Sequence, residues 1–261
     1  MPKLSIITIN YNNAGGLQKT LESVRSQTFI DYEQIVIDGG STDNSAEIIK
    51  NHELRIKNFQ WASEKDNGVY HAQNKGILRA QGEYCLFLNS GDCFCNEKVL
   101  EAIFSQNPNT DIIWGNLIVV DDKGNKVDIC KGKGHITFLD IYSSIIKHQA
   151  SFIKRDLFEK FGLYDDSLKI VADWAFFFKT VGFNNVSLLY ANVDIACFEN
   201  NGISYNNPQL CEMERQSVLD QYMPRIMQED YSLLQKYRGI RNIEKSKTGW
   251  FLFRVLAKIF K

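Results

Sequence analysis

The sequence lacks several features that would place the protein outside the cytoplasm. No uninterrupted apolar stretch approaches the ~20 residues that a membrane-spanning helix needs. The chain leads directly into a strand-like run, without the apolar core of a secretory signal. Its six cysteines are scattered, and only Cys93 and Cys95 lie close, in a C-x-C without a second pair. This pattern argues against a zinc site or a disulfide framework and favours free thiols in a reducing compartment. We therefore expect a cytoplasmic protein.

Strong charge and the common glycine-rich phosphate motifs are also missing. The formal net charge is −1 at pH 7, which gives no reason to expect nucleic acid as a partner. Neither G-x-x-x-x-G-K-[ST] nor G-x-G-x-x-G occurs, so these motifs cannot explain a nucleotide site. The chain does have 261 residues, of which 44% are hydrophobic, enough for the core of one α/β domain or two small ones.

Strand-like and helix-like segments alternate along residues 1–200. Apolar, β-branched runs predict strands at residues 4–9, 32–37, 59–63, 84–88, 111–120, 148–153 and 186–198. Helical spacing of apolar residues predicts helices at 17–27, 45–50, 69–80, 97–106, 156–161 and 172–181, and two charged helices follow at 209–223 and 228–237. Such alternation is typical of a parallel sheet with right-handed crossovers.

The last segment, residues 248–261, combines a broad apolar face with a narrow basic stripe. Its apolar residues are Trp250, Phe251, Phe253, Leu256, Ile259 and Phe260, and its cations are Arg254, Lys258 and Lys261. A helix of this kind can lie in a membrane interface with its cations toward anionic headgroups. The alternative is a terminal helix docked on its own domain or on a partner chain. We expect membrane contact, at the inner face of the cell membrane.

Several strand-like segments lead into loops that carry an amide or a carboxylate, namely Asn10, Asp38, Asp66 and Asp92. Because ligands of open α/β sheets bind at the carboxyl ends of the strands, these groups could line one crevice. A crevice rich in Asp and poor in Lys and Arg suits a ligand whose charge is balanced by Mg²⁺ or Mn²⁺. A nucleoside diphosphate is the natural candidate. The alternative for each loop is an ordinary strand-to-turn exit.

Six short segments carry a resemblance to a known family through their order and spacing. They are SIITINYN at 5–12, DGGSTD at 38–43, EKDNGVY at 64–70, NKGI at 74–77, FLNSGD at 87–92 and ADW at 172–174. The chain resembles the family 2 glycosyltransferases over about residues 1–200. This implies an α/β fold of the GT-A type, with a Rossmann-like, mostly parallel sheet flanked by helices and a C-terminal helical extension. The implied domains are a catalytic domain at 1–205, with a nucleotide-binding half at 1–115 and an acceptor half at 116–205, and the extension with its amphipathic tail at 206–261.

The resemblance implies a nucleotide-sugar site on the first half of the chain. Asn10 and Tyr11 fall where the family's first loop meets the nucleoside. Asp38 falls on the acidic residue near the uracil or ribose, and Asp66 on the acidic loop residue at the base. Asn74 is assigned to the same site.

The metal and the general base are implied in the same way. Asn89, Ser90, Gly91 and Asp92 occupy the place of the D-x-D motif, with Asp92 as ligand of Mn²⁺ or Mg²⁺ and the first three residues against the nucleotide sugar. Asp173 matches the Asp that serves inverting members as general base. The alternative for Asp173 is a helix N-cap.

Some positions depart from the family's pattern. Gly39, Asn89 and Gly91 stand where Asp is common, and His71 stands where an acidic residue is expected, for which the sequence offers no explanation. Asp92 is then the only side-chain carboxylate of its motif. This fits a cation held mainly by diphosphate and water.

Two residues are assigned to the acceptor side. Trp174, beside Asp173, is expected to form a wall for a sugar ring. His148 has two interpretations, a contact to phosphate or metal and a structural hydrogen bond.

The resemblance implies transfer of a sugar from a nucleotide sugar, a UDP-sugar by analogy, to a saccharide or lipid-linked saccharide acceptor in cell-surface polysaccharide biosynthesis. In an inverting single displacement, Asp173 would take the acceptor proton and the metal on Asp92 would stabilise the departing diphosphate. One alternative is a catalytically silent nucleotide-sugar binder, which the thinned metal motif suggests. The other is a nucleotidyltransferase, but this would need a basic glycine-rich loop after the first strand, where no basic residue precedes Lys19.

Overall fold

The computed structural model of the protein describes residues 1–54, 56, 58–121, 123–199, 202, 206–237 and 250–251. The first half of the chain forms a parallel sheet flanked by helices. Its elements are β1 (Leu4–Asn10), α1 (Ala14–Arg25), β2 (Tyr32–Asp38), α2 (Ser45–Glu53), β3 (Phe59–Ser63), α3 (Val69–Arg79) and β4 (Tyr84–Phe87). Strands β3, β2, β1 and β4 lie side by side in that order, and each neighbouring pair is parallel. Both β1 and β4 are buried along their whole length, as continuous apolar strands covered on both faces should be.

The second half extends the same sheet with mixed strand directions. Its elements are β5 (Cys93–Phe94), α4 (Val99–Phe104), β6 (Ile112–Val120), β7 (Lys126–Cys130), α5 (Phe138–Tyr142), a 3₁₀ turn (His148–Ala150), β8 (Ser151–Lys154), α6 (Asp156–Phe161), α7 (Ala172–Phe183) and β9 (Leu188–Glu199). The sheet order is β3-β2-β1-β4-β8-β6-β9-β5, with β7 paired to β6. Strand β8 is antiparallel to β4 and to β6, whereas β9 is parallel to β6. The α/β class predicted from the sequence is confirmed.

The register of the parallel strands places their polar ends in one row. Asn10 pairs with Asp38, and Asp38 pairs with Ser63. On the other side of β1, the backbone N–H of Ser90 donates to the carbonyl of Ile9 at 3.0 Å. The loop after β4 therefore lies beside the end of β1, at the same rim.

The strand predicted at 148–153 begins later than expected. His148–Ala150 is a 3₁₀ turn, and β8 starts at Ser151. The carbonyl of Lys147 accepts both the N–H of Ala150 at 3.0 Å and the Ser151 hydroxyl at 2.7 Å, which closes the turn. The short elements β5 and α5 were not predicted, because a few residues show no periodicity.

The C-terminal extension contains α8 (Pro208–Tyr222) and α9 (Arg225–Tyr237), close to the two predicted helices. Buried Leu219 and Met223 belong to the same hydrophobic cluster as Phe178 of α7. Among the described helices, none is both long and apolar enough to span a membrane. Of the predicted amphipathic tail, 248–261, the structure describes residues 250 and 251, so that helix as a whole lies outside the described residues.

Candidate active site

Asn10 and Asp38 meet at the ends of β1 and β2, as the sequence predicts. Asp38 is fully buried, and its carboxylate accepts hydrogen bonds from Asn10 Nδ2 at 2.8 Å, from Ser63 Oγ at 2.6 Å and from the N–H and hydroxyl of Ser41. Burial alone would raise the pKa of Asp38, but these hydrogen bonds outweigh it and hold the pKa below its ordinary value. The Asp38 oxygens are thus engaged by protein donors. The carboxylate therefore fixes the loop around it, and its place near the uracil or ribose stays a prediction.

Tyr11 and Asp66 lie on either side of Gly39. Tyr11 is 67% exposed, and a Cβ built on Gly39 would stand 3.2 Å from both Tyr11 Cδ2 and Asp66 Oδ2. A side chain at position 39 would therefore require Tyr11 or Asp66 to move by a few tenths of an ångström. Lys75 of α3 donates to Asp66 Oδ1 at 2.8 Å. The exposed ring and the carboxylate therefore lie close together beside Gly39.

His71 lies against the same carboxylate. Its Nδ1 is 3.5 Å from Asp66 Oδ1 and 3.4 Å from the N–H of Asn67, from which it accepts. His71 thus contacts the loop before α3 at both Asp66 and Asn67.

Asn74 does not face the crevice. Its Nδ2 donates to the carbonyl of Tyr164 at 2.8 Å, and its Oδ1 accepts the N–H of Tyr164 at 3.1 Å. Both groups of this buried amide are used within the protein. Asn74 thus joins α3 to the segment that precedes α7, and its contact with a nucleotide sugar stays a prediction.

The predicted metal loop turns sharply at Gly91, whose φ of 107° favours glycine. The Thr20 hydroxyl from α1 holds the turn. It accepts the N–H of Gly91 at 3.0 Å and donates to the carbonyl of Asp92 at 2.6 Å.

The Asn89 side chain and the Ser90 backbone are hydrogen-bonded to neighbouring elements at the rim. Gln73 of α3 donates to Asn89 Oδ1 at 3.2 Å, and Asn13 Nδ2 donates to the carbonyl of Ser90 at 3.1 Å. The loop thus contacts both α3 and the loop after β1, which holds Tyr11 and Asn13.

Asp92, the predicted metal ligand, is a buried carboxylate at the end of this loop. Asp92 is 5% exposed. The N–H of Asn89 donates to its Oδ2 at 3.1 Å. Burial raises its pKa to about 7. Within the described residues, no cluster of three or more His, Cys, Asp or Glu could hold a metal ion by itself. The residues fit a cation bound by one carboxylate, with diphosphate and water as its other ligands.

Asp173 lies in the first turn of α7 with both carboxylate oxygens bound. His148 Nδ1 is 2.6 Å from Oδ2, and the Tyr70 hydroxyl is 2.9 Å from Oδ1. Burial would raise the pKa of Asp173, but the charge and hydrogen bond of His148 and the Tyr70 hydrogen bond hold it below its ordinary value. The side chain is still 20% exposed, so an ionised base can reach a ligand.

His148 is placed by its contact with Asp173. The structural hydrogen bond considered from the sequence is present, and it falls on the predicted general base. The other ring nitrogen, Nε2, is buried and has no hydrogen-bond partner among the described residues.

Trp174 is a core residue, which corrects the expectation that it forms a wall for a sugar. It is 4% exposed, stacks on Phe178 with ring centroids 4.9 Å apart, and donates from Nε1 to the carbonyl of Ile141 at 3.0 Å. Its indole therefore anchors the helix that carries Asp173.

Helix α3 is the element that joins the predicted site residues, and sequence reasoning missed three of its side chains. Tyr70 contacts Asp173, Gln73 contacts Asn89, and Lys75 contacts Asp66. Tyr70 and Gln73 are buried and spaced by three, so they share the inner face of the helix. The signal in the sequence that could have identified Tyr70 and Gln73 is the presence of polar side chains on the inner face of a predicted helix.

Known proteins resemble this chain in sequence and in fold. The sequence model of glycosyl transferase family 2 matches residues 5–168, a region that ends before Asp173. An uncharacterized glycosyltransferase of Mycobacterium tuberculosis is 36% identical over 184 residues, which are 67% of this chain and 67% of that protein.

Two solved structures have a similar fold. Residues 1–349 of S. aureus TarS in complex with UDP-GlcNAc give a TM-score of 0.63 at 22% identity, over 77% of this chain and 59% of that one. The mannosyltransferase PcManGT from Pyrobaculum calidifontis, in complex with GDP-Man and Mn²⁺, gives 0.62 at 15% identity, over 99% of this chain and 80% of that one. The predicted GT-A type of fold is thus confirmed. With the family match, which covers more than half of the sequence, it follows that this chain is a glycosyltransferase and belongs to glycosyl transferase family 2.

Proposed function

We propose that the protein transfers a sugar from a UDP-sugar to a hydroxyl of a saccharide or lipid-linked saccharide acceptor, with inversion, in cell-surface polysaccharide biosynthesis. The observation that carries the proposal is the Asp173 carboxylate, which two donors hold in place and which α3 joins to Asp66 and to the loop at 89–92. Uracil is proposed by analogy with the TarS structure, which is in complex with UDP-GlcNAc.

In the proposed mechanism, Asp173 accepts the proton of the acceptor hydroxyl as that oxygen attacks the anomeric carbon. His148 and Tyr70 each occupy one carboxylate oxygen, which restricts rotation of the carboxylate and leaves its remaining lone pairs for the acceptor. Single displacement places Asp173 and the leaving diphosphate on opposite faces of the sugar.

The donor would lie across the rim formed by the loops after β1, β3 and β4. Tyr11 offers an exposed ring for the base, and Asp66 and Asn10 border the same crevice. Asp92 would hold Mn²⁺ or Mg²⁺ together with the diphosphate, and the cation would supply charge stabilisation of the leaving group. Residues 1–115 would then serve the nucleotide and 116–205 the acceptor.

A peripheral membrane contact at the inner face of the cell membrane would suit a lipid-linked acceptor. Ile226, Leu233, Leu234 and Tyr237 of α9 are exposed. The aromatic and basic sequence of 248–261 follows this helix in the chain. Exposed apolar side chains next to cations favour binding to anionic headgroups.

The Asp92→Asn variant tests the metal and the donor together. Binding of UDP with Mn²⁺ should stabilise the wild-type protein by about 2.7 kcal/mol at a ligand concentration ~100 times Kd. A tenfold weaker affinity in the variant would reduce this to about 1.4 kcal/mol at the same concentration. Thermal shift with UDP, with and without Mn²⁺, measures the difference, and the Mn²⁺-dependent part should be the part that is lost.

Asp121→Asn is the matched control, because Asp121 lies in the hairpin turn between β6 and β7. Its shift should equal that of the wild type. Equal Mn²⁺-dependent shifts in Asp92→Asn and wild type would remove Asp92 from the metal site.

The remaining candidate function is a silent nucleotide-sugar binder, which the single carboxylate of the metal loop suggests. A full shift with UDP-sugars but no UDP release toward any saccharide acceptor would favour it.

A further inference from the structure

Glu214 of α8 is a buried carboxylate that accepts hydrogen bonds from the segment leading into α7. It is 9% exposed. Oε1 accepts the N–H of Lys169 at 2.7 Å, and Oε2 accepts those of Ile170 at 2.9 Å and Val171 at 3.3 Å. Helix α7 has no side-chain cap of its own at Val171. A side chain from the C-terminal extension therefore fixes the backbone at the start of the helix that carries Asp173.

The next residue, Arg215, holds the other flank of Asp173. Its guanidinium lies 3.9 Å from the centroid of the Trp174 ring, and it donates to the carbonyl of Tyr142. Trp174 follows Asp173 directly, so α8 contacts the chain on both sides of this carboxylate.

Glu214 is also linked to the partner of Asp173. The Tyr70 hydroxyl is 2.6 Å from the carbonyl of Ile170, whose N–H is bound by Glu214, and 2.9 Å from Asp173 Oδ1. A shift of residues 169–171 would therefore move a contact of Tyr70 as well as the first turn of α7.

We propose that Glu214 and Arg215 are positioning residues for Asp173, so that the C-terminal helices complete the active site. The inference rests on the proposed role of Asp173 as the general base. Since the efficiency of a base depends on placement to within about 1 Å, a loosened turn should cost about 10- to 100-fold in rate. Donor affinity should stay unchanged, because the donor loops are held by α1 and α3.

Glu33 provides a matched control. It is also a buried carboxylate that accepts two backbone N–H groups, those of Gln81 at 2.6 Å and Gly82 at 3.1 Å. Glu33 lies near the amino end of β2, at the opposite rim from the site. Glu33→Gln weakens the same kind of contact without touching Asp173.

The experiment compares Glu214→Gln, Arg215→Lys and Glu33→Gln at a temperature where all are folded. UDP release toward acceptor should show a lower kcat with unchanged donor KM in Glu214→Gln, a smaller loss in Arg215→Lys, and wild-type kcat in Glu33→Gln. If Glu214→Gln does not fold, Arg215→Lys carries the test, since it keeps the charge but loses the planar stack.

A proton NMR arm is independent of turnover. The chain has four histidines, so the Nδ1 proton of His148, which bridges to Asp173, can be assigned by its absence in His148→Gln. This resonance should weaken in Glu214→Gln and Arg215→Lys and persist in Glu33→Gln. If the His148 proton resonance in both α8 variants is as strong as in the wild type, the inference is overturned, even where no transfer is detected. A loss of kcat in Glu33→Gln equal to that in Glu214→Gln also overturns it. Absence of transfer by the wild type, with the expected NMR changes, overturns the proposed function alone.

Discussion

Replacing Asp173 with Asn is expected to lower kcat by about 10²- to 10⁴-fold, the usual contribution of a general base. Asparagine has nearly the same shape, and its carbonyl can still accept from His148 or Tyr70, but it cannot take the acceptor proton. Binding of UDP with Mn²⁺ should be unchanged. Steady-state release of UDP, together with calorimetric titration of UDP, measures both quantities.

Tyr70→Phe is the graded control for this variant. It removes one of the two donors to Asp173 and keeps the carboxylate, so its kcat should fall less than that of Asp173→Asn. Comparable activity of Asp173→Asn and the wild type would leave the carboxylate with a structural role only.

The pH profile gives a second check on the same residue. Because the pKa of Asp173 is held below its ordinary value of about 3.9, the base stays ionised at neutral pH and throughout mildly acidic pH. Its loss by protonation should therefore appear only below about pH 4. An acid limb near neutrality that disappears in Asp173→Asn would contradict this assignment.

The position of the site could be predicted because it follows from topology. Asn10 and Asp38 end neighbouring parallel strands, and their register places them opposite each other. The loop at 89–92 reaches the same rim because β4 is the other neighbour of β1. Strand ends in a parallel sheet converge whatever their side chains do, so the sequence pattern was sufficient.

The roles of individual side chains could not be predicted in the same way, because they depend on contacts between distant parts of the chain. Asp38 is closed off by Ser63, which comes from β3. Trp174 packs on Phe178 and is contacted by Arg215, which lies beyond β9. Short motifs such as DGGSTD and ADW carry no information on such distant partners.

His148 illustrates the same limit. The predicted strand at 148–153 would have placed it at a strand start, but the 3₁₀ turn carries it toward α7. Its contact with Asp173 depends on the position of that turn, which no local periodicity encodes.

The second large effect is expected for Asp38→Asn, on stability. The variant places an amide NH₂ among donors from Asn10, Ser41 and Ser63, so at least one buried donor loses its acceptor. Loss of hydrogen bonds to a buried charged group should cost about 2–4 kcal/mol of unfolding free energy. Urea unfolding of both proteins at pH 7 measures the difference. Asp43→Asn is the matched control in the same loop, and its effect should be clearly smaller because Asp43 is exposed.

The difference in unfolding free energy between wild type and Asp38→Asn should depend on pH with a definite sign. The pKa of Asp38 is lower in the folded protein than in the unfolded chain, so its contribution is fully present above the unfolded value of about 3.9. It is lost as the pH falls through the folded value, because the protonated acid no longer accepts all four hydrogen bonds. The difference should therefore be constant from pH 7 to about 5 and shrink below about pH 4. A difference that grows on acidification would mean that the carboxylate is not held in its ionised form, and the loop around Asp38 would need another anchor.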